Sequence, residues 1–193
     1  MVKELREKTG AGVLDCRKAL EAHAGDLEKA VAYLKEKGLA AVAEKSEREA
    51  SEGLIEAYVH PGNRVAVMLE LNCETDFVAR TDDFRNLAHE LALHIAFAAP
   101  GYTARQQVPQ EVIESEKATY RTQALEEGKP ENIVDRIVEG KLEKFYKQAC
   151  IMEQPFVKDE DKTIQDLIND AIAKLGENIV LRRFARYELG EDL

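Results

Sequence analysis

Two histidines, His89 and His94, are the first candidates for a metal site because they lie five residues apart in a segment with helical periodicity. A five-residue step turns about 140° round an α-helix, whereas histidines that share a metal usually lie four residues apart on one face. Glu90 and His94 do have that spacing, which is typical of a modest pair on a solvated helix surface. We therefore expect structural roles for both histidines and no bound metal.

The sequence contains no recognisable nucleophile or phosphate-binding loop. No serine or cysteine lies in a nucleophile elbow, and Cys73 lies in an alternating strand pattern that predicts a buried, inert thiol. A loop of the form G-x-x-x-x-G-K-[ST] is absent, and Gly10-Ala11-Gly12 lies between predicted helices rather than after a strand. These patterns predict a protein that is not an enzyme and needs no cofactor.

A different kind of candidate follows the strand that contains Cys73, where Thr75, Asp76 and Arg80 surround Phe77. An aromatic side chain in such a polar segment can anchor a protein partner. It can also pack into its own core while Asp76 caps a turn, and the residue pattern alone favours this second interpretation.

Three short helices are predicted to form an N-terminal module. They span 2–8, 15–22 and 26–37. Asp26 is a plausible N-cap of the third helix, and Gly38 is expected to end it. About 40 residues make only a thin core, so we expect a semi-independent module. Val13 and Leu14 either close this bundle or dock on a partner, and their residue types leave both roles open.

The rest of the chain predicts an α+β core with a small antiparallel sheet. Strand patterns flank the turn Pro61-Gly62-Asn63, and the pattern at 178–187 is expected to add a third strand after the helices. Helical patterns occupy 83–99, 110–127, 131–150 and 164–175, of which the middle two read as a helical hairpin. The charge-dense stretch 44–52 predicts a boundary between an N-terminal module (1–45), a linker (46–52) and a core (53–193) whose hairpin spans about 110–150.

Composition restricts the class of partner. The net charge of -10 argues against wrapping a nucleic acid backbone, which needs clustered lysine and arginine. No apolar run approaches the roughly 20 residues of a membrane span, and the charged start lacks the apolar core of a signal peptide. Three widely spaced cysteines suit a reducing compartment. We expect a cytoplasmic protein that binds neither membrane nor nucleic acid directly.

Three stretches resemble the elongation factor Ts family. They are LREKTGAGVLDCRKAL at 5–20, LNCETDFVAR at 71–80 and LGENIVLRRF at 175–184, with a further match, QPFV, at 154–157. Together they span nearly the whole chain. The resemblance implies a three-helix module like a ubiquitin-associated domain, followed by a three-stranded antiparallel sheet packed with helices.

The resemblance also implies a function, namely guanine nucleotide exchange on elongation factor Tu in translation. It reverses the interpretation of Phe77, because the family uses a T-D-F-V motif to dislodge magnesium from the GTPase domain of that partner. In this chain the motif is Thr75, Asp76, Phe77 and Val78. Phe77 is expected to insert between two helices of the GTPase domain. Arg6, Val13 and Leu14 of the N-terminal module are expected to contact the same domain.

Longer family members have a second, related half, whereas this chain resembles the short form. We therefore expect a symmetric homodimer, in which a second copy supplies the missing surface. If the last strand mediates dimerisation, the candidate residues are Phe184, Ala185 and Tyr187.

Three competing functions need consideration. A protein-binding adaptor with a ubiquitin-associated-like module would not accelerate nucleotide release. A small-molecule enzyme using Asp76, Glu74 and a histidine has no supporting constellation. An RNA-binding role is disfavoured by the acidic balance and by the lack of a basic aromatic platform.

Overall fold

A computed structural model describes residues 1–191, which form two compact units. The first comprises residues 1–93 together with the described residues from 165 onward, and the second comprises His94–Ile164. The helices are α1 (Val2–Thr9), α2 (Val13–Ala22), α3 (Leu27–Lys45), α4 (Asp76–Ala79), α5 (Asp82–Ala98), α6 (Gln110–Glu126), α7 (Glu131–Ala149) and α8 (Ile164–Leu175). The strands are β1 (Glu52–Val59), β2 (Val65–Cys73), β3 (Pro155–Phe156), β4 (Asp159–Thr163) and β5 (Val180–Glu188). This confirms the predicted α+β class.

The three N-terminal helices pack around one apolar cluster. Its buried members are Leu5, Cys16, Ala19, Leu20, Ala30 and Leu34. As predicted, Asp26 caps α3, where its Oδ1 accepts a hydrogen bond of 3.0 Å from the Lys29 amide. The predicted end of α3 at Gly38 is wrong, because the helix continues to Lys45 through a stretch rich in alanine, the best helix former. The predicted domain boundaries stay a prediction.

The main sheet has the order β1-β2-β5, with both pairs antiparallel. On its inner face, Val67, Leu69 and Leu71 of β2 are buried. The helix α5 lies against this face, since the His89 ring stacks edge-on against Tyr58 of β1 at 5.4 Å and its Nδ1 lies 3.0 Å from Glu56 Oε1. The hairpin was predicted from its turn and its alternating pattern, and the returning third strand from the apolar residues of 178–187.

The second unit contains the predicted helical hairpin of α6 and α7. Ala124, Val134 and Val138 are buried between the two helices, and Arg121 forms an ion pair with Asp135 across them. The turn between the helices contains Gly128 with φ of 70°, the left-handed conformation that glycine adopts most easily. The small sheet of β3 and β4 was not predicted.

His94 corrects the expected solvated surface pair with Glu90, because its side chain is buried. Its Nε2 lies 2.9 Å from Gln154 Oε1, and its Nδ1 accepts a hydrogen bond from the Val157 amide. These contacts fit a neutral imidazole that donates from Nε2. Burial lowers the pKa of His94 from its usual value, while the bond to Gln154 opposes the shift.

Acidification is expected to destabilise the protein through His94. The lowered folded-state pKa means that, below about pH 6.5, the unfolded chain binds a proton that the folded chain excludes. The free energy of unfolding should therefore fall as the pH drops from 7 toward 5. Urea titrations across this range should show a shallower fall for His94→Gln than for wild type. His60→Gln, at an exposed histidine, is the control, and equal slopes for wild type and His94→Gln would contradict the assignment.

Candidate functional site

The T-D-F-V segment forms a single exposed helical turn. Thr75 caps α4, and its Oγ1 accepts a hydrogen bond of 3.4 Å from the Val78 amide. Ala79 is buried, which anchors the turn to the protein, whereas Phe77 on the other side of the turn is 78% exposed. The ring is therefore accessible to a partner without any rearrangement of the folded protein.

The carboxylate of Glu177 holds the start of this turn. Its Oε2 accepts hydrogen bonds of 3.0 Å from the amides of both Glu74 and Thr75. Its Oε1 accepts a bond of 2.6 Å from the Thr75 hydroxyl. Three bonds to one ionised group fix the backbone at the point where the chain leaves β2.

Glu74 returns the same type of contact to the segment that contains Glu177. Its Oε1 accepts a hydrogen bond of 2.7 Å from the Asn178 amide and lies 3.8 Å from Arg48 Nη1. The buried Asn178 side chain donates from Nδ2 to the carbonyl of Arg48 at 2.8 Å. Hydrogen bonds thus join the segment that follows β2 to the segment that follows α8, and the contacts of Arg48 join the chain after α3 to both segments.

The other end of the turn is attached to α5. The Thr81 hydroxyl donates to the Val78 carbonyl at 2.8 Å and accepts from the Phe84 amide at 3.3 Å. Asp76 and Arg80, one helical turn apart, form an ion pair of 2.7 Å on the surface. Contacts on both sides therefore hold the turn that presents Phe77.

The Cys73 thiol lies at the end of β2, directly before this turn. Burial raises the pKa of the neighbouring Cys73 thiol to about 11, and the negative charge of Glu177 adds to the shift. The thiol therefore stays protonated and unreactive at neutral pH. Within residues 1–191, no group of three or more histidine, cysteine, aspartate or glutamate side chains is arranged to hold a metal ion.

The other predicted contact residues lie on the N-terminal helices. Arg6 on α1 is exposed. Val13 and Leu14, in the first turn of α2, are 53% and 65% exposed. They therefore do not close the bundle, whose interior is filled by the cluster around Leu5, and they remain available to a partner.

The three residues predicted for a dimer interface lie on two different faces of the sheet. Phe184 pairs with Leu69 on the inner face and is half-buried. Ala185 and Tyr187 lie on the outer face, where they pair with Met68 and Ala66 of β2. That face exposes a continuous set of apolar side chains, namely Ile55, Ala57, Val59, Met68, Ala185 and Tyr187.

The family profile described as Elongation factor TS matches residues 13–191, which include the T-D-F-V turn and the segment of Glu177. The chain belongs to the elongation factor Ts family.

Relatives across the elongation factor Ts family agree over the full length of the chain. The protein named Elongation factor Ts from Moorella thermoacetica is 58% identical over 192 residues, covering 100% of this chain and 95% of the relative. Those of the same name from Caldanaerobacter subterraneus subsp. tengcongensis and Heliobacterium modesticaldum are each 59% identical, covering 100% of this chain and 96% and 90% of the relatives. These names are those of translation elongation factors, which act in protein biosynthesis. No helix within residues 1–191 is long and apolar enough to cross a membrane.

Sequence reasoning missed the residues that hold the T-D-F-V turn in place. Glu177 and Asn178 lie more than 100 positions from Thr75, and nothing in the local pattern connects them. The sequence offered one signal: two of the family-like stretches contain an acidic residue at a critical position. In 71–80, Glu74 lies beside the T-D-F-V motif, and in 175–184, Glu177 lies beside a helix end.

Proposed function

We propose that this protein is the guanine nucleotide exchange factor of elongation factor Tu and that the T-D-F-V turn is the contact through which it releases GDP. The observation that supports this is Phe77, a nearly fully exposed phenyl ring on a turn whose backbone is hydrogen-bonded at both ends. A ring presented in a fixed position needs little ordering on binding, so most of its burial contributes to affinity. The acidic balance of the chain disfavours direct contact with nucleic acid, and the proposed partner places its action in the cytoplasm.

In the proposed mechanism, Phe77 inserts between two helices of the partner's GTPase domain and displaces the magnesium ion that accompanies GDP. A bound divalent cation offsets phosphate charge, so shifting its ligands weakens nucleotide binding. Asp76 lies beside the ring and is available to the partner once it separates from Arg80. Val13 and Leu14 add an exposed apolar contact from the N-terminal helices, with Arg6 nearby in sequence.

The exchange needs only preferential binding to the nucleotide-free partner. Coupling is reciprocal, so the factor by which this protein weakens GDP binding is the factor by which GDP weakens its own binding. The protein therefore contributes binding energy and no reacting group.

The proposal is tested by the release of a fluorescent GDP analogue from elongation factor Tu at several magnesium concentrations. We expect the wild-type protein to accelerate release strongly when magnesium is abundant. The acceleration should be smaller when magnesium is already depleted, because the proposed step has then occurred. Binding without acceleration would support an adaptor role instead.

We further propose that two copies associate through the outer face of the main sheet. Sheets pack face to face at about 10 Å with interdigitating apolar side chains, and this face presents such side chains from all three strands. A two-fold interface uses the same surface from both copies. Glu70, the acidic residue of the central strand on this face, is ion-paired with Arg183 at 2.7 Å, so it adds little repulsion between two acidic chains that meet there.

A charge placed in the centre of this face should prevent dimerisation. Met68 lies on the central strand and is exposed. Met68→Lys would bury an unpaired ammonium group in the interface, and the dissociation constant should rise at least about a hundredfold. Sedimentation at micromolar concentrations is the measurement, with Leu39→Lys, at an exposed leucine of α3, as the control. A monomeric wild-type protein would exclude the dimer.

A further inference from the structure

We infer that Glu177 is a positioning residue for nucleotide exchange. It holds the backbone at the start of the T-D-F-V turn and thereby fixes the position of Phe77. This inference rests on the exchange function proposed above and adds to it a residue outside the T-D-F-V motif. The argument is one of geometry, since the three groups that contact the Glu177 carboxylate all belong to the entrance of the turn.

The first step concerns what a free turn would do. A single helical turn of four residues has no stability of its own, because nucleating a helix fixes several residues for one hydrogen bond. The amides at its start have no partner within the turn. Here the Glu177 carboxylate satisfies the amides of Glu74 and Thr75 together, each at 3.0 Å.

The second step concerns the cap. The Thr75 hydroxyl accepts from the Val78 amide while donating to Glu177 Oε1 at 2.6 Å. The bond to Glu177 thus fixes the rotamer in which Thr75 caps the turn. Without Glu177, that side chain is free to rotate and the cap weakens.

The third step concerns Glu177 itself. The helix α8 ends at Leu175, and the φ of 82° at the following Gly176 redirects the chain so that the next residues approach the turn. Behind Glu177, the Asn178 amide is bound by Glu74 Oε1 at 2.7 Å. Each segment therefore supplies the carboxylate that satisfies the other's backbone, and both are held in one arrangement.

The consequence for exchange is pre-organisation. Phe77 is exposed, so its own packing does not fix its position, and the turn must do so. If the turn fluctuates, the ring is correctly placed in only a fraction of the molecules, and the apparent association constant is multiplied by that fraction. Glu177 acts on this fraction and needs no contact with the partner.

The test is the rate of GDP release from elongation factor Tu with full-length variants. Glu177→Ala removes all three hydrogen bonds and should slow release about tenfold. Glu177→Gln should restore most of the rate, because its amide oxygen accepts from both backbone amides while its nitrogen donates to Thr75 Oγ1. Glu126→Ala, at an exposed glutamate of α6 with the same change in net charge, should leave the rate unchanged.

A double-mutant cycle separates positioning from direct contact. If Glu177 acts through Phe77, adding Glu177→Ala to Phe77→Ala should slow release no further. An equal additional loss in both backgrounds, or a full rate for Glu177→Ala, would overturn the inference while leaving the exchange function intact. A wild-type protein that does not accelerate release would instead overturn the proposed function.

Amide hydrogen exchange tests the same contact without the partner. The amides of Glu74 and Thr75 should exchange faster in Glu177→Ala than in wild type, while those of the buried strand β2 keep their protection. Unchanged protection at both amides would contradict the positioning role whatever the outcome with elongation factor Tu. If Glu177→Ala does not fold, Glu177→Asp, whose carboxylate is withdrawn by one methylene group from Glu74 and Thr75, replaces it in the same cycle.

Discussion

Replacing Phe77 with alanine is expected to slow GDP release by roughly thirtyfold or more while leaving the thermal unfolding of the protein nearly unchanged. An aromatic anchor of an interface typically costs about 2 kcal/mol or more when truncated, and that energy corresponds to the stated factor. The folded protein gains little from the ring, because 78% of the side chain already faces water. Stopped-flow fluorescence of a labelled GDP and a thermal melt of the same sample measure both quantities.

The matched control for this prediction is Phe97→Ala. Phe97 is 79% exposed near the end of α5, so its removal deletes the same ring from an equally open surface. We expect normal exchange for this variant. Similar losses of exchange rate in both variants would indicate a general hydrophobic effect. A normal rate for Phe77→Ala would mean that another part of the surface drives GDP release.

The sequence pattern predicts that Phe77 is buried, whereas the structure exposes it, so the burial of this residue could not be predicted from its neighbours in sequence. Residue type places phenylalanine inside proteins, so the sequence pattern alone favoured a buried ring. The ring is exposed because its turn is short and because Ala79, two residues on, takes the buried position. The family resemblance, not the pattern, indicated the exposed role.

The regular elements were predictable because their signals are local. The alternation along β2 and the Gly128-Lys129-Pro130 junction of the hairpin each depend on neighbouring residues only. Non-local effects account for the differences. The burial of His94 depends on a partner, Gln154, that lies 60 residues away, and Glu177 reaches the motif over 102 residues.

The end of α3 was also predicted wrongly from a local signal, the glycine at position 38. Glycine often ends a helix, but it does so by adopting a left-handed conformation, and Gly38 remains in the helix. Contact with a neighbour accompanies this, since a Cβ added at Gly38 would lie 3.7 Å from the Cβ of Ala173 on α8. The residue that predicted a helix end instead lies where a second helix passes close by.

Leu5→Ala is expected to unfold the N-terminal helices while the main sheet stays folded. Leu5 is fully buried in a cluster of only six buried residues, and truncating a buried leucine costs about 2–5 kcal/mol. A bundle of about 40 residues has little stability to lose, so this cost should exceed its local margin. Hydrogen exchange measured by mass spectrometry should show lost protection in α1 and α2 but retained protection in β2.

Leu39→Ala is the control, because this leucine lies on the exposed side of α3 and its truncation should leave protection unchanged. The functional consequence separates the two predicted contact regions. If Val13 and Leu14 contribute to docking, Leu5→Ala should weaken binding to elongation factor Tu, while the maximal rate of GDP release at saturation, set by Phe77, should persist. Cooperative loss of β2 protection together with α1 and α2 would instead show that the helices and the sheet form one folding unit.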